Sequence, residues 1–75
     1  MSSLPAASGR DVIKALSRAG FKPIRQRGSH VRLEKTKDDE TFKITVPLHK
    51  TLKKGTLKRI IMDAGLTVEE FNQLL

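Results

Sequence analysis

Two histidines, His30 and His49, are the side chains in this 75-residue sequence best suited to acid–base chemistry. Imidazole is the side chain whose ordinary pKa, about 6.5, lies closest to neutral pH. The sequence has no cysteine, which excludes thiolate catalysis, disulfides and cysteine-ligated zinc and is compatible with a reducing cytosol. Because carboxylates are not clustered near either histidine, we predict no metal site and no cofactor.

The residues around His30 alternate between apolar and polar, as they do in a half-buried strand. Val31 and Leu33 belong to the apolar face, so His30 and Arg32 are expected on the opposite, open face, beside a glycine turn. There an imidazole can take a proton from a ribose 2′-hydroxyl or give one to a leaving oxygen, while arginine stabilises a charged phosphorane. That is ribonuclease chemistry without a metal, although on spacing alone a surface histidine without a role is the commoner case.

Positive charge is concentrated in the middle of the sequence. The chain has 15 Lys and Arg against 8 Asp and Glu, a net charge of +7. The stretch from Lys22 to Arg59 holds twelve of the basic and four of the acidic residues, a balance of +8. A localised positive field attracts polyanions. Nucleic acid is the foremost candidate, because its binding releases condensed counterions. The alternative, a lysine-rich surface that only keeps a small protein soluble, fits the charge equally well.

Two lysines, Lys53 and Lys54, open the predicted second helix with charges that are unfavourable for the helix dipole. One interpretation is a phosphate-binding site, in which the exposed amides of the helix and the Thr56 hydroxyl act together with the lysines. The other is that Gly55 and Thr56 only cap the helix, while the lysines are solvated. The sequence favours neither interpretation.

His49 follows Pro47 in the basic connection before that helix, and three roles are open to it. It can hold a phosphate, supply a second acid–base group or hydrogen-bond a loop carbonyl. The residues predicted to contact RNA, in chain order, are Arg25, Arg27, Ser29, Arg32, Lys43, His49, Lys53, Lys54 and Lys58.

Three helices are predicted from capping signals and from the helical spacing of apolar residues. Ser8 with Asp11 forms a capping box for a helix over residues 9–19, which a glycine ends. A second helix follows the basic connection. Thr67 with Glu70 starts a short terminal helix. The apolar side chains of that helix are expected to close over the core, namely Val68, Phe71 and Leu74 or Leu75.

Three strands are expected between the first two helices. The first, over residues 21–27, contains Pro23 and therefore suits an edge of the sheet. The second and third alternate regularly and are joined by a polar loop over residues 36–40, and the third ends at Pro47. The fold class is α+β in two layers, with the order α-β-β-β-α, an antiparallel three-stranded sheet and the helices on one face.

The domain organisation predicted from the sequence is simple. Residues 1–7 form a flexible segment, and residues 8–75 form a single domain. The N-terminus does not resemble a targeting signal, and no apolar run approaches the ~20 residues that a membrane helix needs. We therefore expect a soluble, cytoplasmic protein without a membrane partner.

Six short motifs follow one another along nearly the whole chain, from about Leu4 to the end. They are Ser8–Leu16, Gly20–Phe21, Arg25–His30, Val46–His49, Lys54–Leu57 and Ala64–Leu66. In this order they resemble the HicA family of mRNA interferase toxins, whose catalytic histidine follows Gly-Ser, as His30 does here. His49 matches the second histidine of the family.

The resemblance implies a fold like that of double-stranded RNA-binding domains and metal-independent cleavage of mRNA that causes growth arrest. It also implies neutralisation by a HicB-type antitoxin that covers the active face. With it, we predict an endoribonuclease that cuts RNA by 2′-hydroxyl attack, with His30 as general base or acid. The family also includes members described only as RNA-binding proteins, so a non-catalytic RNA-binding module is the alternative. A third possibility is a module whose basic face binds an acidic protein.

Overall fold

A computed structural model describes residues 3–75, and Met1 and Ser2 lie outside the described residues. The three strands form one antiparallel sheet in the order β1-β2-β3. This α+β arrangement confirms the predicted fold class and is consistent with the fold of double-stranded RNA-binding domains. The elements are α1 (Gly9–Arg18), β1 (Lys22–Arg27), β2 (His30–Lys37), β3 (Glu40–Pro47), α2 (Lys54–Asp63) and α3 (Val68–Leu74).

Helix α1 is held at both ends by the residues that predicted it. The Ser8 hydroxyl accepts a hydrogen bond from the Asp11 amide at 3.1 Å, and the Asp11 carboxylate accepts one from the Ser8 amide at 3.2 Å. At the other end Gly20 has a φ of 100°, a backbone conformation that favours glycine. The chain then reverses so that Phe21 donates its amide hydrogen to the Leu16 carbonyl and buries its ring.

Each of the two capping boxes, at α1 and at α3, holds an ionised carboxylate. The hydrogen bond from the Ser8 amide lowers the pKa of Asp11, and the one from the Thr67 amide lowers the pKa of Glu70. A lowered pKa in the folded state stabilises folding at pH values above the ordinary ones, 3.8 for Asp11 and 4.5 for Glu70. This contribution is lost as the pH falls through the lower folded-state values.

We therefore expect the melting temperature to fall on acidification below about pH 4.5, and less steeply in Asp11→Asn/Glu70→Gln than in the unchanged chain. The variant should also be less stable at neutral pH, because both caps are weakened. Melting curves followed by circular dichroism from about pH 7 to about pH 2 measure this. If the melting temperatures of the two proteins fell equally with pH, the lowered pKa values of Asp11 and Glu70 would not be the cause.

A β-bulge in the edge strand β1 sets on which side of the sheet each of its exposed side chains lies. Pro23 pairs with Leu33 on the core face, whereas Arg25 pairs with Arg32 on the opposite face, and the register shifts between them at Ile24. Extra residues of this kind re-aim the side chains that follow. The bulge therefore aligns Arg25, and two residues later Arg27, with the polar side chains of β2.

The turn between β2 and β3 is shorter than the predicted loop over residues 36–40. Only Asp38 and Asp39 lie outside the strands, and both have a positive φ, 50° and 68°. Two such residues form the tight turn that fits strand twist. The polar flanks of this turn are predicted as loop from the sequence because they lack apolar side chains. Pairing needs only the backbone, and Thr36 lies opposite Thr41, their hydroxyls 3.4 Å apart.

Replacing Asp39 by glycine should stabilise the protein, because glycine adopts a positive φ at little steric cost. We expect the free energy of unfolding to rise by about 0.5 kcal/mol. Glu40→Gly is the matched control, since it places glycine in a strand and should lower stability by a similar amount. Urea denaturation measures both variants. A loss of stability in Asp39→Gly would contradict the turn assignment.

The hydrophobic core lies between the inner face of the sheet and the three helices. Helix α1 packs against β1, β3 and α3, while α2 packs against β3 and α3. Among residues 3–75 no polar or charged residue is buried. The fully buried side chains, each less than 2% exposed, include Val12, Leu16, Leu33, Val46, Leu57, Ile61 and Phe71.

The predicted flexible segment, residues 1–7, lies partly outside the described residues, and its mobility stays a prediction. Leu4 packs against the core, and Ala7 is buried. The Ala7 carbonyl also accepts a hydrogen bond from the Leu52 amide at 2.9 Å. Packing contacts therefore begin before Ser8. Among the described residues, no helix has the length and apolar character needed to cross a bilayer.

The connection between β3 and α2 is fixed to the start of α1 by close backbone contact. The Gly9 amide donates a hydrogen bond to the His49 carbonyl at 2.9 Å. A Cβ atom at position 9 would collide with the Pro47 carbonyl oxygen and lie 2.9 Å from Leu48 Cα. The backbones can therefore approach this closely only because residue 9 is glycine.

Gly9→Ala should lower the free energy of unfolding by about 1–3 kcal/mol, because backbone atoms cannot yield as a flexible side chain can. Gly55→Ala is the matched control. Residue 55 lies in α2 with open space around its Cα, so alanine there should stabilise the helix by about 0.5–1 kcal/mol. Urea denaturation of the two variants should therefore give changes of opposite sign. An unaffected Gly9→Ala variant would contradict the close contact.

Candidate nucleic-acid interface

The strand register brings several of the predicted site residues together on the outer face of the sheet, opposite the core. In one cross-strand row His30, on the central strand β2, lies between Arg27 and Pro47. In the next row Arg32 lies between Arg25 and Thr45. Residues paired in this way have Cβ atoms about 4.5–5.5 Å apart. The imidazole and three guanidinium groups are therefore neighbours.

These side chains enclose a shallow depression of about 220 Å³, lined by Arg25, Arg27, His30, Arg32 and Thr45. His30 is exposed, as the alternation predicted. Arg32 is half-buried, and its Nε donates a long hydrogen bond, 3.4 Å, to the Thr45 hydroxyl. No carboxylate lines the depression, so its field favours an anion such as a phosphate.

Two of the predicted RNA-binding residues, Ser29 and His49, lie at the end of the sheet and do not line the depression. The Ser29 carbonyl accepts a hydrogen bond from the Leu48 amide at 2.7 Å, which holds the β1–β2 turn against the connection after β3. His49 is exposed, and its backbone carbonyl accepts a hydrogen bond from the Gly9 amide. The three roles considered for the His49 imidazole therefore all stay predictions.

The lysines at the start of α2 are exposed, and the interpretation in which Gly55 and Thr56 cap this helix is wrong. The helix begins at Lys54 with Lys53 as its N-cap residue, and no side chain caps it. Gly55 and Thr56 therefore lie inside the first turn and do not precede it. A lysine side chain has no acceptor with which to cap an amide. The phosphate-binding site at this helix end stays a prediction, as do the roles of Lys53, Lys54 and Lys58.

Lys43 lies on the outer face, one row beyond Arg32, but it lines a different groove. This groove, of about 350 Å³, runs between β3 and α2 and is also lined by Thr45, Thr56, Arg59 and Asp63. Thr45, which lines both hollows, is not among the predicted site residues because it carries no charge. Its alternation with Ile44 and Val46 places it on the outer face. Arg59 was missed because the sequence does not show how α2 lies against β3.

Within residues 3–75, no three His, Cys, Asp or Glu side chains come together as a group that could hold a metal ion. The acid on this face, Glu34, lies in the row between Lys22 and Lys43 and does not line the depression. What the depression offers is one proton-transferring side chain among cationic side chains. That combination suits proton transfer at a phosphodiester.

Comparison with known protein families identifies the family of this chain. No curated protein matches the chain. The family model described as "HicA toxin of bacterial toxin-antitoxin" matches residues 9–66, which run from the start of α1 to just beyond α2 and include every residue of the depression. The match covers well over half of the chain. The chain therefore belongs to the HicA family of toxins of bacterial toxin–antitoxin systems.

Proposed function

We propose that this toxin is a metal-independent endoribonuclease that cleaves mRNA in the cytoplasm, with His30 as its catalytic residue. The observation that carries the proposal is the position of the exposed His30 imidazole, in a depression lined by three arginines and no carboxylate. Family membership supports the toxin role, and the geometry supports the chemistry.

The proposed reaction is an attack of a ribose 2′-hydroxyl on the adjacent phosphorus. A bond forms between phosphorus and the 2′-oxygen, the bond to the 5′-oxygen breaks, and the products are a cyclic phosphate and a 5′-hydroxyl. One proton leaves the 2′-oxygen and one reaches the 5′-oxygen. His30 carries out one of these transfers, and His49 or water carries out the other. Arg25, Arg27 and Arg32 stabilise the charge that develops on the phosphorane.

This mechanism predicts that the full chain cuts RNA in the presence of EDTA at the rate seen without it. The products should carry 2′,3′-cyclic phosphate and 5′-hydroxyl ends, because a 2′-oxygen and not water attacks the phosphorus. Enzymatic labelling of the fragment ends measures both. Activity that EDTA abolishes and added Mg²⁺ restores, or fragments with 5′-phosphate ends, would contradict the proposal.

The toxin–antitoxin family implies an antitoxin partner. We propose that a HicB-type antitoxin covers the outer face of the sheet and so blocks access to His30. The charge of the depression supports this, since a partner that supplies carboxylates to three guanidinium groups gains both affinity and a high rate of association.

A non-catalytic RNA-binding module is the second candidate, favoured by the exposed lysines at the start of α2. Double-stranded RNA-binding domains recognise RNA largely through its shape and through contacts to phosphates, for which exposed lysines are suited. Binding of RNA without any product would favour this candidate. Undetectable RNA binding even at low salt would instead favour a module that only binds an acidic protein.

A further inference from the structure

We infer that RNA bound at His30 continues over Thr45 into the groove between β3 and α2, where Lys43 and Arg59 hold its phosphates. This extends the binding surface beyond the depression, and it names Arg59 as a residue that contacts RNA. The inference rests on the proposed function, because it takes RNA as the ligand of the depression.

The two hollows adjoin each other at a single residue. Thr45 lines the depression together with His30 and Arg32, and it lines the groove together with Lys43 and Arg59. Its side chain is short, and its hydroxyl can accept or donate a hydrogen bond. An RNA strand can therefore pass over Thr45 from the depression to the groove, because no long side chain at this position blocks the way.

The charges along β2 disfavour an RNA strand that continues straight along this strand of the sheet. Beyond Arg32 on the same strand comes Glu34, which lies between Lys22 and Lys43, and beyond that row the sheet ends in the acidic turn of Asp38, Asp39 and Glu40. Carboxylates repel the phosphates of a strand that runs straight along β2. A strand that turns over Thr45 instead meets Lys43 and then Arg59 on the β3 side, so this path leads from the arginines to further cations.

Arg59 is available for this contact although it has a partner. Its Nε lies 3.8 Å from the Asp63 carboxylate, and the two side chains are 84% and 54% exposed. An exposed pair at this distance contributes little to stability and is readily exchanged for another anion. Asp63 also lines the groove, so its charge opposes the phosphate that Arg59 attracts.

Binding of 2′-O-methyl RNA, which lacks the attacking hydroxyl, tests the inference without cleavage. We expect Arg59→Ala to weaken binding of an oligonucleotide of about 12 nucleotides roughly threefold to tenfold, and to lower its salt slope by about 0.7. Binding of an oligonucleotide of about 3 nucleotides, which fills only the depression, should not change. Asp63→Asn should strengthen binding of the longer RNA, because it removes an opposing charge.

Lys14→Ala is the matched control, since it removes one positive charge from the groove between α1 and β1, away from the outer face. It should have a smaller effect than Arg59→Ala, and circular dichroism should show both variants folded. An Arg59→Ala variant that binds the longer RNA like the Lys14→Ala variant, or that loses affinity equally for both lengths, would overturn the inference. If the unchanged chain binds the longer RNA and only the Arg59 effect is missing, the proposed function still stands. Absence of any RNA binding overturns both.

Discussion

His30→Ala is expected to lower the rate of RNA cleavage by about 10²–10⁴-fold, the range that a positioned acid or base contributes. RNA binding should stay within about twofold of the unchanged chain, because the arginines that line the depression remain. The folded state should be unaffected, since His30 is exposed and lies outside the core. Cleavage measured with the protein in excess over a labelled RNA separates the chemical step from binding.

His49→Ala is the control for this experiment, because it removes the other imidazole of the chain from a position outside the depression. A loss of cleavage rate in this variant without a loss of binding would identify His49 as the second proton-transferring group, and an unchanged rate would leave that transfer to water. Equal activity of His30→Ala and the unchanged chain would discard the catalytic role of His30.

Phe71→Ala is expected to have the largest effect on stability. Phe71 lies in α3, is 0% exposed and belongs to the core cluster. Truncation of a buried phenylalanine costs about 3–5 kcal/mol, because apolar contacts are lost and a cavity remains. A domain of this size has a total stability of roughly 4–11 kcal/mol. The variant should therefore lie close to unfolding at 37 °C.

Urea denaturation followed by circular dichroism measures the loss. Leu75→Ala is the control, because Leu75 follows the same helix but is 45% exposed, and it should change stability by less than about 0.5 kcal/mol. A Phe71→Ala variant as stable as the control would show that α3 is not part of the core. This matters for function, since α3 lies outside the family match of residues 9–66 but packs against α1 and α2.

The elements that local sequence signals define could be predicted well. The capping boxes at Ser8 and Thr67 are present as expected, and the helices begin where those boxes place them. Of the two residues considered for the end of α3, Leu74 packs against the core, whereas Leu75 does not. Strand alternation also placed His30 on the open face, because a period of two follows from the backbone geometry of a strand.

The remaining features depend on contacts between distant parts of the chain. The bulge at Ile24 sets the face of Arg25, and only the pairing of β1 with β2 shows it. The interpretation in which Gly55 and Thr56 cap α2 is wrong, because the helix begins at Lys54 and no side chain caps it. The groove that joins Lys43 with Arg59 requires α2 to lie along β3, which no local pattern indicates.

The central claim is that RNA lies across the outer face of the sheet with a phosphate at the His30 ring. Nuclear magnetic resonance tests it directly, because the chain has two imidazole signals, which His49→Ala distinguishes. When 2′-O-methyl RNA is added to the full chain, we expect the His30 signal to shift together with those of Arg25, Arg27 and Arg32. An unmoved His30 signal while the groove between α1 and β1 responds would place the RNA elsewhere and contradict the account.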